Sequence, residues 1–265
     1  MVKKRSQISL FILISLVFLV GVTLSVYVVN RGTESQLENN PALTGDETSI
    51  ETGAFKAGVE KCLEDTTFSF AETMTFLAGS LQKPLFNPNV PSVSTGVKYN
   101  NIDYRYFCKH ESGKGCVSVL LTKEDMQTEL DAKVRDFALQ HCINFDAFLE
   151  AGFEVETGDP EVKTQITPNS INVRFLYPTL IKKGANIVNI AEYFSKTEIP
   201  LGKLYDMAVY IVNEENTKGH FDKDEWMTNN GVDIRIKKHR PYPDTVYKLI
   251  TKNFELDREF VFNFA

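Results

Sequence analysis

A chain of 265 residues has room for one or two self-sufficient cores beside any anchor, so folding does not depend on a metal or a covalent staple. Lys and Arg number 29 against 35 Asp and Glu, and the net charge of −6 argues against a general polyanion binder. No nucleic-acid partner is expected.

Residues 8–29, ISLFILISLVFLVGVTLSVYVV, carry no charge. At about 1.5 Å of rise per residue, a helix of this length crosses a hydrocarbon core of roughly 30 Å. The run is longer than a secretory h-region of about 7–15 residues, and Val28-Val29-Asn30-Arg31 offers no small-x-small cleavage site. A retained transmembrane helix is therefore expected, with membrane lipid as its partner. Lys3, Lys4 and Arg5 crowd the N-terminal side, and Arg31 stands alone on the other. The positive-inside bias keeps the basic stub 1–7 in the cytoplasm and sends the rest of the chain outside.

The stretch Lys4-Arg5-Ser6-Gln7-Ile8-Ser9-Leu10-Phe11 resembles the N-terminus of archaeal type IV pilin-like proteins with class III signals. In that family a basic cluster and a small residue precede Gln-x-Ser and an apolar helix. The resemblance implies processing between Ser6 and Gln7 by a membrane aspartyl peptidase, with 8–29 as an assembly helix. Ser6 stands where the family usually has Gly, and Phe11 where a Glu is usual. As a whole the chain also resembles single-span archaeal surface proteins, a likeness that carries no activity with it.

Residues 30–54 are expected to form a flexible tether. Glu34, Glu38, Asp46, Glu47 and Glu51 repel one another, and Pro41 and Gly45 break regular structure. From 55 onward an extracytoplasmic α+β domain is expected, antiparallel meander sheets packed with amphipathic helices, with a subdivision near 150 left open. Phe55, Val59, Cys62, Leu63, Phe70, Met74, Leu77 and Leu81 recur at helical spacing and predict a long helix over 55–81. Aromatic residues over 97–108 read as a strand or hairpin around Asn100-Asn101, with 116–121 as a strand that can pair with it. Thr122-Lys-Glu-Asp125 is capping-box chemistry, and Met126, Leu130, Val134, Phe137, His141 and Phe145 share one helix face after it.

Runs at 153–155, 162–166 and 171–181, separated by Gly158-Asp159-Pro160 and Pro168-Asn169-Ser170, read as three strands of a meander. Residues 187–194 fit a strand or a short helix. Pro200 suits a helix start, and Leu201, Leu204, Tyr205, Ala208, Val209 and Val212 give that helix its apolar face. Asp222 and Glu225 suit the start of a short helix carrying Trp226. Strict alternation over 232–237 buries Val232, Ile234 and Ile236, and 245–251 and 259–264 are two further strands.

Cys62, Cys108, Cys116 and Cys142 all lie in the part expected outside, where thiols oxidise. Three pairings are open to four cysteines. The pairing favoured is Cys108 with Cys116, closing a short loop, and Cys62 with Cys142, joining two helices. No Cys-x-x-Cys pair is present, and no metal or cofactor is expected. The sequence carries no Gly-x-Ser-x-Gly elbow and no phosphate-binding glycine loop. Paired carboxylates of a glycoside hydrolase leave no local signature, so an anchored hydrolase is the alternative from another class. Lys237, Lys238, His239 and Arg240 form the one basic cluster of the domain and are its candidate binding residues. The expected role is a membrane-anchored cell-surface binding or assembly protein, its partner another copy or a cell-surface protein, with a pilin-like filament subunit as the alternative nearest to it.

Overall fold

The computed structural model describes residues 47–86, 94–111, 115–231, 233–241, 243–253 and 256–265. The apolar run 8–29, the processing pair Ser6 and Gln7, most of the tether, and Val232 lie outside the described residues. Among the described residues no helix is long and apolar enough to cross a membrane. The domain is α+β, and Ile50–Ala265 form one compact unit.

Helix α1, Glu47–Phe76, starts eight residues before the apolar pattern does, so the expected tether is helical from Glu47 on. No proline lies in that stretch, and once Val59 and Leu63 are buried the helix extends backward at little further cost. It ends at Ala78 and Gly79, both with positive φ, and Gly79 packs where a side chain would strike Met126. A hairpin follows, β1 (Gly96–Tyr99) and β2 (Ile102–Arg105). Asn100 and Asn101, at φ of 49° and 61°, make the two-residue turn expected of that pair. A second hairpin, β3 (Cys108–Glu111) and β4 (Gly115–Ser118), stands apart as a two-stranded sheet. The expected strand after Cys116 thus pairs with β3 and not with the aromatic hairpin.

Helix α2, Lys123–Phe137, opens on the anticipated box: the Thr122 hydroxyl accepts the Asp125 amide, and the Asp125 carboxylate accepts the Thr122 amide at 2.9 Å. Its buried stripe is Met126, Leu130, Val134 and then Ala138. Phe137 and His141 lie outside that stripe, ring against ring at 4.4 Å. For His141 the physical reason is a π turn, Ala138–Cys142, closed by the Ile143 amide on the Ala138 carbonyl. The wider turn shifts the residues after Phe137 around the axis and places Cys142 against α1. A short helix, α3 (Asp146–Glu150), leads into the second half.

There β5 (Glu154–Thr157), β6 (Glu161–Ile166), β7 (Ile171–Lys183) and β8 (Asn186–Thr197) form a four-stranded antiparallel sheet. The strand reading of 187–194 holds, but the meander does not run in simple order. β5 and β6 lie end to end along one side of β7, pairing with 179–182 and 171–176, and β8 pairs along the other. Pro178 sits at the break, where the β7–β8 register shifts, because it has no amide to give to a ladder. Val162, Ile166, Ile171, Val173, Phe175 and Tyr193 form its buried face.

Helix α4, Leu201–Lys218, follows Pro200. Gly202 lies where a Cβ would meet the Thr167 carbonyl at 2.3 Å, so only glycine lets α4 start against the β6–β7 turn. Helix α5, Lys223–Asn230, is capped by Asp222, whose carboxylate accepts the Asp224 and Glu225 amides. The last strands, β9 (Arg235–His239), β10 (Val246–Asn253) and β11 (Arg258–Phe264), join the first hairpin in a five-stranded sheet of order β1-β2-β11-β10-β9. All its pairings are antiparallel except β2 with β11.

α1 holds both sheets by their sides. At its middle Glu60 accepts the Phe194 amide of β8 at 3.1 Å, and the Glu64 carbonyl accepts the Thr197 hydroxyl. Nearer its end Phe68 meets Phe260 edge-on, Glu72 pairs with Arg258, and the Phe76 carbonyl accepts the Asn263 amide. An edge strand left open invites pairing with other chains, and Glu60 of α1 blocks that on β8 at Phe194. α2 does the same for β6: Asp131 accepts the Thr164 amide at 2.7 Å and Gln127 the Ile166 amide at 3.0 Å.

Candidate functional site

The residues that gather most polar chemistry lie where the C-terminal end of α4 meets the five-stranded sheet. A cleft of about 220 Å³ opens there, floored by Ile211, Val212, Phe264 and the Cys108–Cys116 bridge and rimmed by Tyr106, Asn216 and Asp244. Beneath the floor Phe107, fully buried, contacts the rings of Tyr205, Phe262 and Phe264 at 5.1 to 6.2 Å.

Glu215 continues the apolar face of α4, four residues after Ile211, and Lys238 continues the buried alternation of Ile234 and Ile236 on β9. The two meet. Glu215 Oε1 takes a hydrogen bond from Lys238 Nζ at 2.5 Å, one from the Tyr247 hydroxyl, and one from the Phe221 amide at 3.3 Å. Lys238 Nζ lies 5.2 Å above the Tyr247 ring and also donates to the Phe221 carbonyl. Its side chain is only 10% exposed.

Burial pushes the Glu215 carboxyl up, but the hydrogen bonds from Lys238 and Tyr247 outweigh it and hold the group below its ordinary value. Burial, followed by the hydrogen bond to the Glu215 carboxylate, pushes the Tyr247 hydroxyl far up. Tyr106 is pushed up to about 12, by burial and then by Asp244, to which its hydroxyl donates at 3.3 Å. At neutral pH the cleft therefore holds the ionised Glu215 carboxylate, its Oε1 taking three hydrogen bonds, and two phenols that stay protonated. A carboxylate held below its ordinary value by a neighbouring cation is a weak general base. The arrangement is suited to holding a ligand in place: an apolar floor with hydrogen-bonding groups at its rim.

Both cysteine pairs formed as expected, Cys62 with Cys142 and Cys108 with Cys116, and no cysteine is free. The first ties α1 to the π turn; the second lines the cleft. The basic cluster, by contrast, is divided by strand alternation. Lys237 stands exposed opposite Lys248, and His239 packs against the Tyr99 ring at 5.5 Å. Lys238 points the other way, into the Glu215 pair, and Arg240 is exposed beyond the strand end. The four residues do not present one patch. Among the described residues no group of three or more His, Cys, Asp or Glu side chains converges as metal ligands would.

Tyr106 belongs to the aromatic stretch read from the sequence, but Glu215, Tyr247 and Asp244 were not singled out. A signal for Glu215 existed, since a Glu on the apolar stripe of a helix and a Lys on the buried side of a strand each ask for a partner. Comparison with protein-family models, curated proteins and solved structures finds no match to this chain.

Proposed function

We propose that this protein is a membrane-anchored, extracytoplasmic binding or assembly module. The observation that carries the reading is the complete pairing of its cysteines: two bridges, one of them spanning 80 residues, suit a compartment where thiols oxidise. That fits the charge-free run 8–29, preceded by Lys3, Lys4 and Arg5. A binding role is favoured over a catalytic one because Glu215, the carboxylate at the centre of the cluster, is neutralised by Lys238. The ligand it suits is small and amphipathic, an apolar group for the floor of Ile211, Val212 and Phe264 with polar atoms for the rim. The pilin-like alternative rests on Ser6-Gln7 and the apolar helix.

The test is the intact mass of the protein extracted from its own membranes, alkylated with and without prior reduction. Alkylation of the cysteines only after reduction supports the outside placement. Alkylation of all of them in denaturant without reduction overturns it. Loss of the first six residues moves the assembly role from a simple anchor to a processed, pilin-like subunit.

A further inference from the structure

Each strand edge among the described residues except one is short, charged or covered. β6 lies under Asp131 and Gln127 of α2, and β11 is flanked by β2 and β10. β5 carries Glu154 and Glu156, β9 carries Arg235, Lys237 and Lys238, and the strands of the two hairpins have four residues each. β8 is different. Glu60 covers its outer edge at Phe194, but over 187–191 no strand or side chain among the described residues takes that edge. The sequence there, Ile187-Val188-Asn189-Ile190-Ala191, has no charge, no proline and no glycine, and Ile187 is 62% exposed. Such an edge is a template for another strand.

We propose that residues 187–191 pair antiparallel with the same residues of a second copy, continuing the four-stranded sheet across a twofold axis at Asn189. The occupant follows from self-complementarity. In that register Ile187 lies opposite Ala191 of the second copy, large against small on the wet face. Val188 lies opposite Ile190 on the core side, where Val188 is half-buried and Ile190 buried. Asn189 meets its own copy, amide to amide, and no like charges oppose each other. A partner selected by charge would find nothing here to read.

The interface is short, below the roughly 1,200 Å² of a standard one, so it needs the high local concentration of copies confined to one membrane. It therefore rests on the anchored reading above.

The experiment places one cysteine in the full-length protein, in isolated membranes under copper-catalysed oxidation, with the native bridges alkylation-mapped beforehand. Cβ atoms of directly opposed residues are about 5 Å apart, close to disulfide range, so Asn189→Cys should give a disulfide-linked dimer, joined through position 189 of both copies, as the main product. Ile187→Cys places its two thiols about 13 Å apart along the strands and should cross-link at least tenfold less. Ile187→Lys in the Asn189→Cys background should lower the yield several-fold, by removing the apolar contact of Ile187 with Ala191 of the second copy and adding two like charges to a short interface. Equal yields from the two cysteine positions, or no dimer from either, overturn the proposal. If the native bridges prove reduced before oxidation, the outside placement fails separately, because the dimer yield is read from the introduced thiol alone.

Discussion

The two bridges use the same covalent chemistry for different ends. Cys62–Cys142 closes 80 residues and fixes α1, which holds both sheets, to the π turn that ends α2. Cys108–Cys116 closes 8 and holds a hairpin against the cleft. Constraining a long loop removes more freedom from the unfolded chain than constraining a short one. The first bridge therefore belongs to the stability of the frame, and the second to the shape of the cleft.

That contrast can be broken experimentally. Replacing Cys62 and Cys142 together by alanine should lower the unfolding free energy by about 4.5 kcal/mol, measured by denaturant titration, and leave the near-ultraviolet signals of Tyr106 and Tyr247 little changed in whatever fraction stays folded. Replacing Cys108 and Cys116 should lower it by about 2.5 kcal/mol, and here the cleft itself should change, seen as altered near-ultraviolet signals from Tyr106 and Tyr247. If the short bridge proves the more stabilising, the division of labour is wrong.

The cleft side of the comparison is sharpened by Lys238→Ala. It leaves Glu215 partly buried without its cation and should destabilise by about 2 kcal/mol, reduced from the fully buried case because water still reaches the carboxylate. Lys238→Met, which keeps the volume, should cost about as much if charge is the cause, and less if packing is.

Two pH effects follow from the same cluster. Glu215 is held below its ordinary value, so its contribution to stability is present above the unfolded carboxyl range and lost as pH falls through its folded value. The acid limb of stability should therefore be shallower in Glu215→Gln than in the parent. Tyr106 and Tyr247 are raised, so their contribution is present below the ordinary phenol range and lost on rising through about 12 for Tyr106 and higher for Tyr247. Ultraviolet titration should show Tyr106 ionising late, and removing Asp244 should bring it earlier.

The smallest expected effect is Thr122→Ala, which removes one half of the capping box of α2 and should cost about 1 kcal/mol. It touches neither bridge, and so serves as the control for both.

What the sequence by itself determined was local. The Asn100-Asn101 turn, the Thr122 box, the α5 start at Asp222 and the buried positions Ile234 and Ile236 were legible because each depends on residues a few places apart. The pairing of the cysteines was legible because one short loop leaves a single partner for the rest. What the tertiary structure alone decided was everything that depends on distant segments. It set β2 beside β11 in parallel, laid β5 and β6 end to end along β7, and drew Glu215 to Lys238. It also extended α1 back into a stretch that reads as a tether. Spacing along a chain reports which side chains share a face, but an edge or a buried charge is satisfied by whatever the fold brings to it, and that partner leaves no mark at its own position in the sequence.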